Sequence, residues 1–329
     1  MTTGTVWTDP RFPGVSCRRV GPEALDMLLE LKTRLQQDYL PDALPDWLRD
    51  SPGGVYAYYY EDQLCGLCSI HIPRPGEAWL RGKRIALGFE GKGIGTATAV
   101  FEMEEARRLG ARVARLITEV GNAAVHRMMR EKLGFRDMGR WWVAEGLNPA
   151  ALGRTGTEPG APAVAVLAPG RPADGDAAKA LAGLGPLLAR HAGACGLDDP
   201  QQGGERPEQP CWGLWATLDD PYTLAGFGPQ ELEEALRAGS TLAVAGPPSA
   251  PRGLALLTPS EGWGPILRLF VGADEAAVAA LRAWLRSLDT GRLVASLPAV
   301  HAAALLGTSP EALTERGGTL FVLYQQDLA

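Results

Sequence analysis

Short apolar runs alternate with helix-like patterns through the first 146 residues. Runs rich in β-branched and aromatic residues predict strands at 15–20, 55–60, 64–72 and 79–85. Glu61 and Asp62 separate the second run from the third and predict the turn of a hairpin. Leucines at helical spacing predict a helix over residues 22–37, and a shorter helix is expected over 44–49.

The alternation continues after residue 85, with a helix predicted to about Leu109 and a strand over 113–118. A second helix is predicted over 123–132, ended by Gly134 as a natural C-cap, before a strand over 138–143. Strands that alternate with helices predict an α/β fold with a mixed sheet flanked by helices.

The stretch from Ile85 to Thr96 is a strand end, a glycine-dense turn and the start of a helix. Gly91, Gly93 and Gly95 allow several backbone N–H groups to point into one concavity, and the helix adds its unpaired N-terminal donors. This combination predicts a phosphate-binding loop.

Three kinds of phosphate loop compete for this stretch. A dinucleotide fingerprint requires G-x-G-x-x-G after a first strand, whereas the spacing here is G-x-G-x-G in mid-domain. A nucleoside-triphosphate loop requires Gly-Lys followed by Ser or Thr, which occurs nowhere in the chain. The third pattern, [V/I]-x-x-x-x-[R/Q]-x-x-G-x-[G/A], belongs to the GNAT superfamily of N-acetyltransferases. The segment resembles it: Ile85, Glu90, Gly93 and Gly95 fall on the four defined positions in register, and all but Glu90 are residues that the pattern allows.

A second GNAT-like signature follows in the correct order: a strand, Asn122, a helix, Leu133-Gly134-Phe135 and another strand. The resemblance covers roughly residues 15–145. It implies that acetyl-CoA binds where the sheet splays open, with its pantetheine arm along the backbone of Ile85, Ala86 and Leu87. The implied contacts to the diphosphate are the loop amides, and Asn122 would bind the pantetheine arm. These amides belong to Gly91, Lys92, Gly93, Ile94, Gly95 and Thr96.

Three departures from the family pattern concern the chemistry. Glu90 stands where the family has Arg or Gln, and its carboxylate should weaken diphosphate binding unless it turns to solvent or pairs with Lys92. The tyrosine that often protonates the leaving thiolate is absent, with Met128 and Met129 in its neighbourhood. The helix after Asn122 is one residue longer than the commonest spacing.

Direct attack of an amine on the thioester requires a general base. Glu119, at the end of the strand beside the splay, is one candidate, although a surface ion pair with Arg115 or Arg127 explains it equally well. His126 is the other candidate, because imidazole is a common general base, but a packed histidine is an alternative. Further residues that could face the acceptor are Glu77, Tyr56, Tyr58, Tyr59 and Tyr60.

The second half resembles a decayed copy of the first. Ala299-Val300-His301 repeats Ala124-Val125-His126, each after an apolar strand. Ile85 and Leu116 are 31 positions apart, whereas the matching Val271 and Leu293 are 22 apart, so the second copy is nine residues shorter. The shortening falls at the phosphate loop, where Asp274 and Glu275 now begin the helix and would repel a diphosphate. An unrelated α/β domain is the alternative.

These patterns predict a GNAT fold in two tandem halves: residues 1–146 with the acetyl-CoA site, a linker at 147–162 and a degenerate domain at 163–329. Lys and Arg number 20 against 19 Asp and Glu in residues 1–146, and 12 against 19 in the remainder. No basic stripe suggests nucleic-acid binding. The acidic second half mildly favours a cationic substrate, but a solvated acidic surface explains it too.

Five cysteines in 329 residues do not form a disulfide framework, and Cys65 and Cys68 lie on an apolar strand, so no metal site is predicted. No apolar run of about 18 residues occurs, so no membrane span is predicted and a cytoplasmic location is expected. The predicted function is acetyl transfer from acetyl-CoA to a primary amine of a small molecule or a peptide. A non-catalytic CoA-binding or structural module is the alternative. Oligomeric state and acceptor identity stay open.

Overall fold

The computed structural model describes residues 6–35, 38–50, 52–152, 162–167, 184, 187–188, 214–217, 220–247 and 250–328. The chain divides into two compact units. The first comprises Met1–Asp137 together with Tyr324–Ala329, and the second comprises Met138–Leu323. Each half of the sequence therefore contributes its last strand segment to the other unit.

The first unit is built on a mixed sheet with strand order β1-β2-β3-β4-β5-β6-β15. Its strands are β1 (Trp7–Thr8), β2 (Val15–Val20), β3 (Gly54–Tyr60), β4 (Gln63–Arg74), β5 (Glu77–Ile85), β6 (Val113–Glu119) and the C-terminal part of β15 (Thr319–Asp327). Its helices are α1 (Leu25–Leu29), α2 (Leu40–Trp47), α3 (Ile94–Arg108) and α4 (Ala123–Arg127). Strands β1 to β5 pair antiparallel in chain order, and β5 pairs parallel with β6.

Apolar side chains cover both faces of this sheet. On one face, Leu28 of α1 and Leu44 of α2 pack with Val55, Ala57 and Leu67 of the sheet. On the other, the rings of Tyr56 and Tyr58 meet Phe101 of α3, with centroids 5.2 and 6.5 Å apart. The β3–β4 turn is made by Glu61 and Asp62, as predicted. Both have positive φ (48° and 63°), the geometry of a tight two-residue hairpin.

The prediction of one helix over residues 22–37 is wrong. A 3-10 turn at Pro22–Ala24 leads into α1, which ends at Leu29, and the described residues 31–35 are not helical. Residues 36 and 37 lie outside the described part of the chain. Contacts with β5 and the loop after it hold this segment, because the Leu87 N–H donates to the Lys32 carbonyl and Arg34 pairs with Glu90. Tertiary contacts therefore override the leucine periodicity.

The extra residue in the helix after Asn122 is accommodated by a π turn. Regular α-helix ends at Arg127, and Met128–Lys132 continue as π-helix, with the Leu133 N–H donating to the Met128 carbonyl at 3.1 Å. A single π turn absorbs one additional residue without ending the helix. Gly134 follows with φ of +66°, which agrees with its predicted role as C-cap.

The second unit repeats the topology of the first, with strand order β7-β14-β13-β12-β11-β8. Its strands are β7 (Arg136–Leu147), β8 (Val164–Leu167), β11 (Thr241–Ala245), β12 (Gly253–Thr258), β13 (Ile266–Gly272) and β14 (Leu293–Pro298), with β9 (Leu214–Thr217) and β10 (Leu224–Phe227) in a separate ladder. Its helices are α5 (Pro229–Arg237), α6 (Glu275–Ser287) and α7 (Ala299–Leu306). Pairing is antiparallel except between β13 and β14, which are parallel like β5 and β6.

The repeat extends to a bulge. In the first unit the β4–β5 register shifts between Leu67 and Ser69, opposite Gly82. In the second, the β12–β13 register shifts between Leu256 and Leu257, opposite Arg268. Both bulges lie near the end of the strand that precedes the helix, three residues before Ile85 in β5 and four before Gly272 in β13. A bulge in the same pair of strands in both units supports a true repeat.

Three cysteines in the described residues, Cys17, Cys65 and Cys68, are free and buried. Burial raises the pKa of the Cys65 thiol to about 11, which keeps it protonated at neutral pH. Within the described residues, no helix combines the length and apolar character needed to cross a membrane.

Candidate acetyl-CoA site

The turn between β5 and α3 is an open, left-handed glycine turn. Gly91 and Gly93 have φ of +77° and +79°, which side chains with a Cβ rarely adopt, and Gly93 is the N-cap of α3. A Cβ at either position would meet no atom within 4 Å. Glycine is therefore required here by backbone conformation, and the space beside the turn is open.

Five successive backbone donors face no acceptor in this turn. Within the described residues, the N–H groups of Gly91, Lys92, Gly93, Ile94 and Gly95 donate no hydrogen bond. The first satisfied donors of α3 are Thr96 and Ala97, both bonded to the Gly93 carbonyl at 3.0 Å. Unpaired amides at the positive end of a 15-residue helix form an anion-binding concavity.

Glu90 is turned away from these amides. Its carboxylate accepts from the Gly88 N–H at 2.9 Å and pairs with Arg34, whose Nε lies 2.9 Å from Oε1. Hydrogen bonds from its own N–H and that of Gly88, with the charge of Arg34, lower the pKa of Glu90. The partner is Arg34 and not Lys92, whose Nζ lies over the rings of Tyr60 and Phe89 at 5.0 and 5.1 Å.

Strands β5 and β6 separate beside the turn. Their parallel pairing covers only Glu77, Ala78 and Trp79 of β5, although β5 continues to Ile85 and stays paired with β4. Since the Ala86 N–H donates to the Cys65 carbonyl, alternation directs the backbone groups of Ile85 to the open side. The Leu87 N–H is already bonded to the Lys32 carbonyl at 2.9 Å. Of the three predicted backbone positions, Ile85 thus has groups free for a ligand.

Asn122 lies just beyond β6 and caps α4. Its Oδ1 accepts from the Val125 N–H at 3.4 Å, and its Nδ2 donates to the Thr118 hydroxyl at 3.2 Å. The amide nitrogen has a second hydrogen, so capping does not exhaust its donors. On the next turn of this helix, Met128 Sδ lies 3.9 Å from the position of a Cβ on Gly95, which places the π turn beside the glycine turn.

The two predicted catalytic residues have different surroundings. Glu119 is exposed at the end of β6, and its carboxylate has no partner in the described residues. His126 Nε2 donates to the carbonyls of Glu119 and Val120, both at 3.1 Å, and Nδ1 accepts from the Tyr324 hydroxyl at 2.9 Å. Sequence reasoning missed Tyr324 because it lies 198 positions away, in the last strand.

A buried charged pair lies beneath the glycine turn. Lys83 Nζ donates to Glu102 Oε2 at 2.8 Å and to the Gly95 carbonyl at 3.3 Å, and the Tyr58 hydroxyl donates to Glu102 at 2.8 Å. Burial raises the pKa of Tyr58 well above its usual value, so it stays a donor. Tyr56 is bonded to Glu105 of the same helix. These two tyrosines therefore support α3 and do not face a bound amine substrate. The sequence signal for this contact was Glu102, a carboxylate on the apolar face of α3.

At the equivalent place in the second unit, the helix is self-capped. Asp274 Oδ1 accepts from the Ala277 N–H at 2.9 Å, and Oδ2 accepts from Arg252 Nε at 2.9 Å. The Ala273 N–H donates to the Arg252 carbonyl at 2.7 Å, and a Cβ on Gly272 would lie 2.5 Å from Val278. The Ala273 and Ala277 N–H groups are thus bonded within the protein, and the carboxylate of Asp274 lies at the helix start, as predicted.

Residues 22–135, which include the glycine turn and Asn122, match the acetyltransferase (GNAT) family. We call this segment, which is similar to GNAT acetyltransferases, the GNAT domain. Among proteins with curated functions, none matches the sequence. The fold is similar to that of a GCN5-related N-acetyltransferase from Sphaerobacter thermophilus, with 15% identity, a TM-score of 0.56 and 96% of each chain covered. It also resembles a GCN5-related N-acetyltransferase from Kribbella flavida, with 17% identity, a TM-score of 0.50, and 95% of this chain and 72% of that chain covered.

These likenesses extend over both units and not the GNAT domain alone. Together with the repeated strand order, they confirm the predicted α/β fold with two tandem GNAT-like halves. The second half has lost the glycine turn, as its self-capped helix shows. The residues of the GNAT domain fit acetyl-CoA: the open amides suit a diphosphate, Glu90 is neutralised by Arg34, and the open edge of β5 suits an extended arm.

Proposed function

We propose that the GNAT domain transfers an acetyl group from acetyl-CoA to a primary amine of a small molecule or a peptide. The five open amides from Gly91 to Gly95, beside separating parallel strands, are the observation that carries this proposal. The amides of Gly91, Lys92, Gly93, Ile94 and Gly95 would hold the diphosphate, whereas the Thr96 N–H, also predicted to do so, is bonded to the Gly93 carbonyl. Ile85 and Asn122 would bind the pantetheine arm. Ala86 and Leu87, whose N–H groups are bonded to the Cys65 and Lys32 carbonyls, would only lie beside it.

In this proposal acetyl-CoA supplies a thioester, which a neutral amine attacks directly. Glu119 is the favoured residue to take the proton of the amine, because its carboxylate is exposed and unpaired among the described residues. For His126 to act as the base, its Nδ1 would first have to lose the hydrogen bond that it accepts from the Tyr324 hydroxyl. His126 in its present position braces the end of β6 through two carbonyls.

We further propose that residues 1–146 form the acetyl-CoA domain, 147–162 the linker and 163–329 the degenerate domain. The open glycine turn in the first half and the self-capped helix in the second support this division. A cytoplasmic location is part of the proposal, and the free buried thiols of Cys17, Cys65 and Cys68 fit a reducing compartment.

The test incubates the protein with acetyl-CoA and a panel of primary amines, and follows acetylated products by mass spectrometry and binding by calorimetry. We expect one acetyl-CoA site per chain and transfer to at least one amine class. Gly93→Glu should weaken binding by on the order of 100-fold, because it strains the turn and adds a charge beside the diphosphate.

Gly110→Glu is the matched control for this variant. Gly110 lies just beyond the other end of α3, also with positive φ (+87°) and no atom within 4 Å of its Cβ position. The control adds the same side chain and similar strain, so we expect acetyl-CoA binding to be unchanged. Equal binding by the wild type and Gly93→Glu would contradict the placement of the site. Binding of acetyl-CoA without transfer to any amine would favour the non-catalytic module. The engagement of both ring nitrogens of His126 is consistent with that alternative.

A further inference from the structure

The glycine turn has no cation at position 90, although a diphosphate carries negative charge that amides alone only partly offset. One cation of the turn, Lys92, is engaged over the rings of Tyr60 and Phe89. Lys83, beneath the turn, is engaged by Glu102 and the Gly95 carbonyl, and Arg34 lies at the turn through its contact with Glu90. Arg34 comes from the non-helical segment between α1 and α2.

Three contacts hold this segment against β5 and the turn. The Leu87 N–H donates to the Lys32 carbonyl at 2.9 Å. Arg84 of β5 makes two hydrogen bonds to Asp38, at 3.0 and 2.9 Å, and these lower the pKa of Asp38 although its burial opposes this. The third contact is Arg34 to Glu90. The first two contacts hold the segment on either side of Arg34, and the third holds the Arg34 side chain beside the turn.

The guanidinium of Arg34 has donors to spare. Its closest approach to Glu90 is through Nε, and the side chain is 77% exposed. Among the described residues, its two terminal nitrogens have no recorded acceptor. A planar guanidinium with two free N–H₂ groups is the side chain best suited to bind phosphate oxygens in a bidentate manner.

We propose that Arg34 supplies, from the α1–α2 segment, the cation that binds the diphosphate of acetyl-CoA, and that Glu90 holds Arg34 beside the turn. The substitution of Glu90 for the usual Arg or Gln is then compensated by a cation elsewhere in the chain. Glu90 is a positioning residue and Arg34 a binding residue. This inference rests on the proposed acetyl-CoA site.

Calorimetric titration with acetyl-CoA tests the inference on the full chain. We expect Arg34→Gln to weaken binding about 10-fold, the effect of one charge-assisted contact. Glu90→Gln should weaken binding by a smaller factor, and the double variant should bind no more weakly than Arg34→Gln alone, because both changes remove the same contact. The affinity of Arg34→Gln should also depend less on salt than that of the wild type.

Arg49→Gln is the matched control, since Arg49 is a similarly exposed arginine (66%) that pairs with Asp46 near the end of α2. It should bind acetyl-CoA like the wild type. If Arg34→Gln binds normally, or if Glu90→Gln binds more tightly than the wild type, Glu90 only repels the ligand and the inference fails while the proposed function stands. If the wild type itself binds no acetyl-CoA, the proposed function and the inference fall together.

Discussion

The two units place the same strand, bulge and helix around two different turns. After β5, an open turn leaves five N–H groups without a protein partner, and Glu90 is held to one side by Arg34. After β13, Asp274 caps α6 itself and pairs with Arg252. The topology is shared, so the fold alone does not create a ligand site. Whether the helix end binds an anion is decided by a few residues at the turn.

The units also differ beneath the turn. In the second unit, the residues of β13 that pack in one cluster with α6 are Leu267 and Phe270, which are buried and apolar. The first unit thus carries an ion pair between its sheet and α3 where the second has a hydrophobic contact. Buried pairs of this kind are weak sources of stability but are costly to break. The pair therefore serves to fix α3 under the glycine turn.

The largest expected effect comes from breaking this pair. Lys83→Leu introduces an apolar residue, as β13 has against α6, but leaves the Glu102 carboxylate, 3% exposed, without its cation. We expect the free energy of unfolding to fall by about 3–5 kcal/mol. The measurement is urea denaturation followed by tryptophan fluorescence. Lys83→Leu combined with Glu102→Leu removes both charges and should recover most of the loss; a single variant as stable as the wild type would contradict this account.

A smaller effect is expected from removing the N-cap of α6 in the second unit. Asp274→Ala removes the N-cap of α6 and the ion pair with Arg252, and should lower stability by about 1–2 kcal/mol. It should create no second acetyl-CoA site, because the Ala273 N–H remains bonded to Arg252 and no glycine turn is present. Thermal unfolding and titration with acetyl-CoA check the two parts. A second binding event would show that the carboxylate alone closes this end.

The smallest effect concerns pH. In the first unit Arg84 of β5 bonds to Asp38, whereas Leu269 and Val271 of β13 in the second unit pack in an apolar cluster with α5. Because the pKa of Asp38 is lowered on folding, its contribution is present above the unfolded value, near 4, and is lost as pH falls through the folded value. Asp38→Asn should cost about 0.5–1 kcal/mol at pH 7. Urea midpoints measured down to pH 3 should converge; a constant difference would exclude this linkage.

Much of the fold is predictable because its signals are local. The hairpin at Glu61 and Asp62, the glycine turn and the cap at Gly134 each depend on neighbouring residues, and all three agree with the structure. The helix over residues 22–37 fails for the opposite reason. Its leucine spacing is helical, but contacts of Lys32 and Arg34 with residues more than 50 positions away hold the chain in another conformation.

The candidate site likewise has a part that local sequence predicts and a part that it does not. The turn is a continuous run of sequence, so its residues can be recognised without the fold. Arg34 and Tyr324 reach the site only through tertiary structure, and neither carries a local signal. The surroundings of His126 are likewise set by Tyr324 and by two carbonyls. Its position in the sequence suggested a base because it does not show that both ring nitrogens are engaged.

The central claim is that a single acetyl-CoA binds at the open turn of the first unit. Hydrogen exchange of backbone amides, measured by mass spectrometry with and without acetyl-CoA, tests it most directly. The account predicts that binding slows exchange in a peptide covering residues 91–96, whereas exchange in residues 272–278 does not change. Protection in the second segment, or none in the first despite binding, would contradict it.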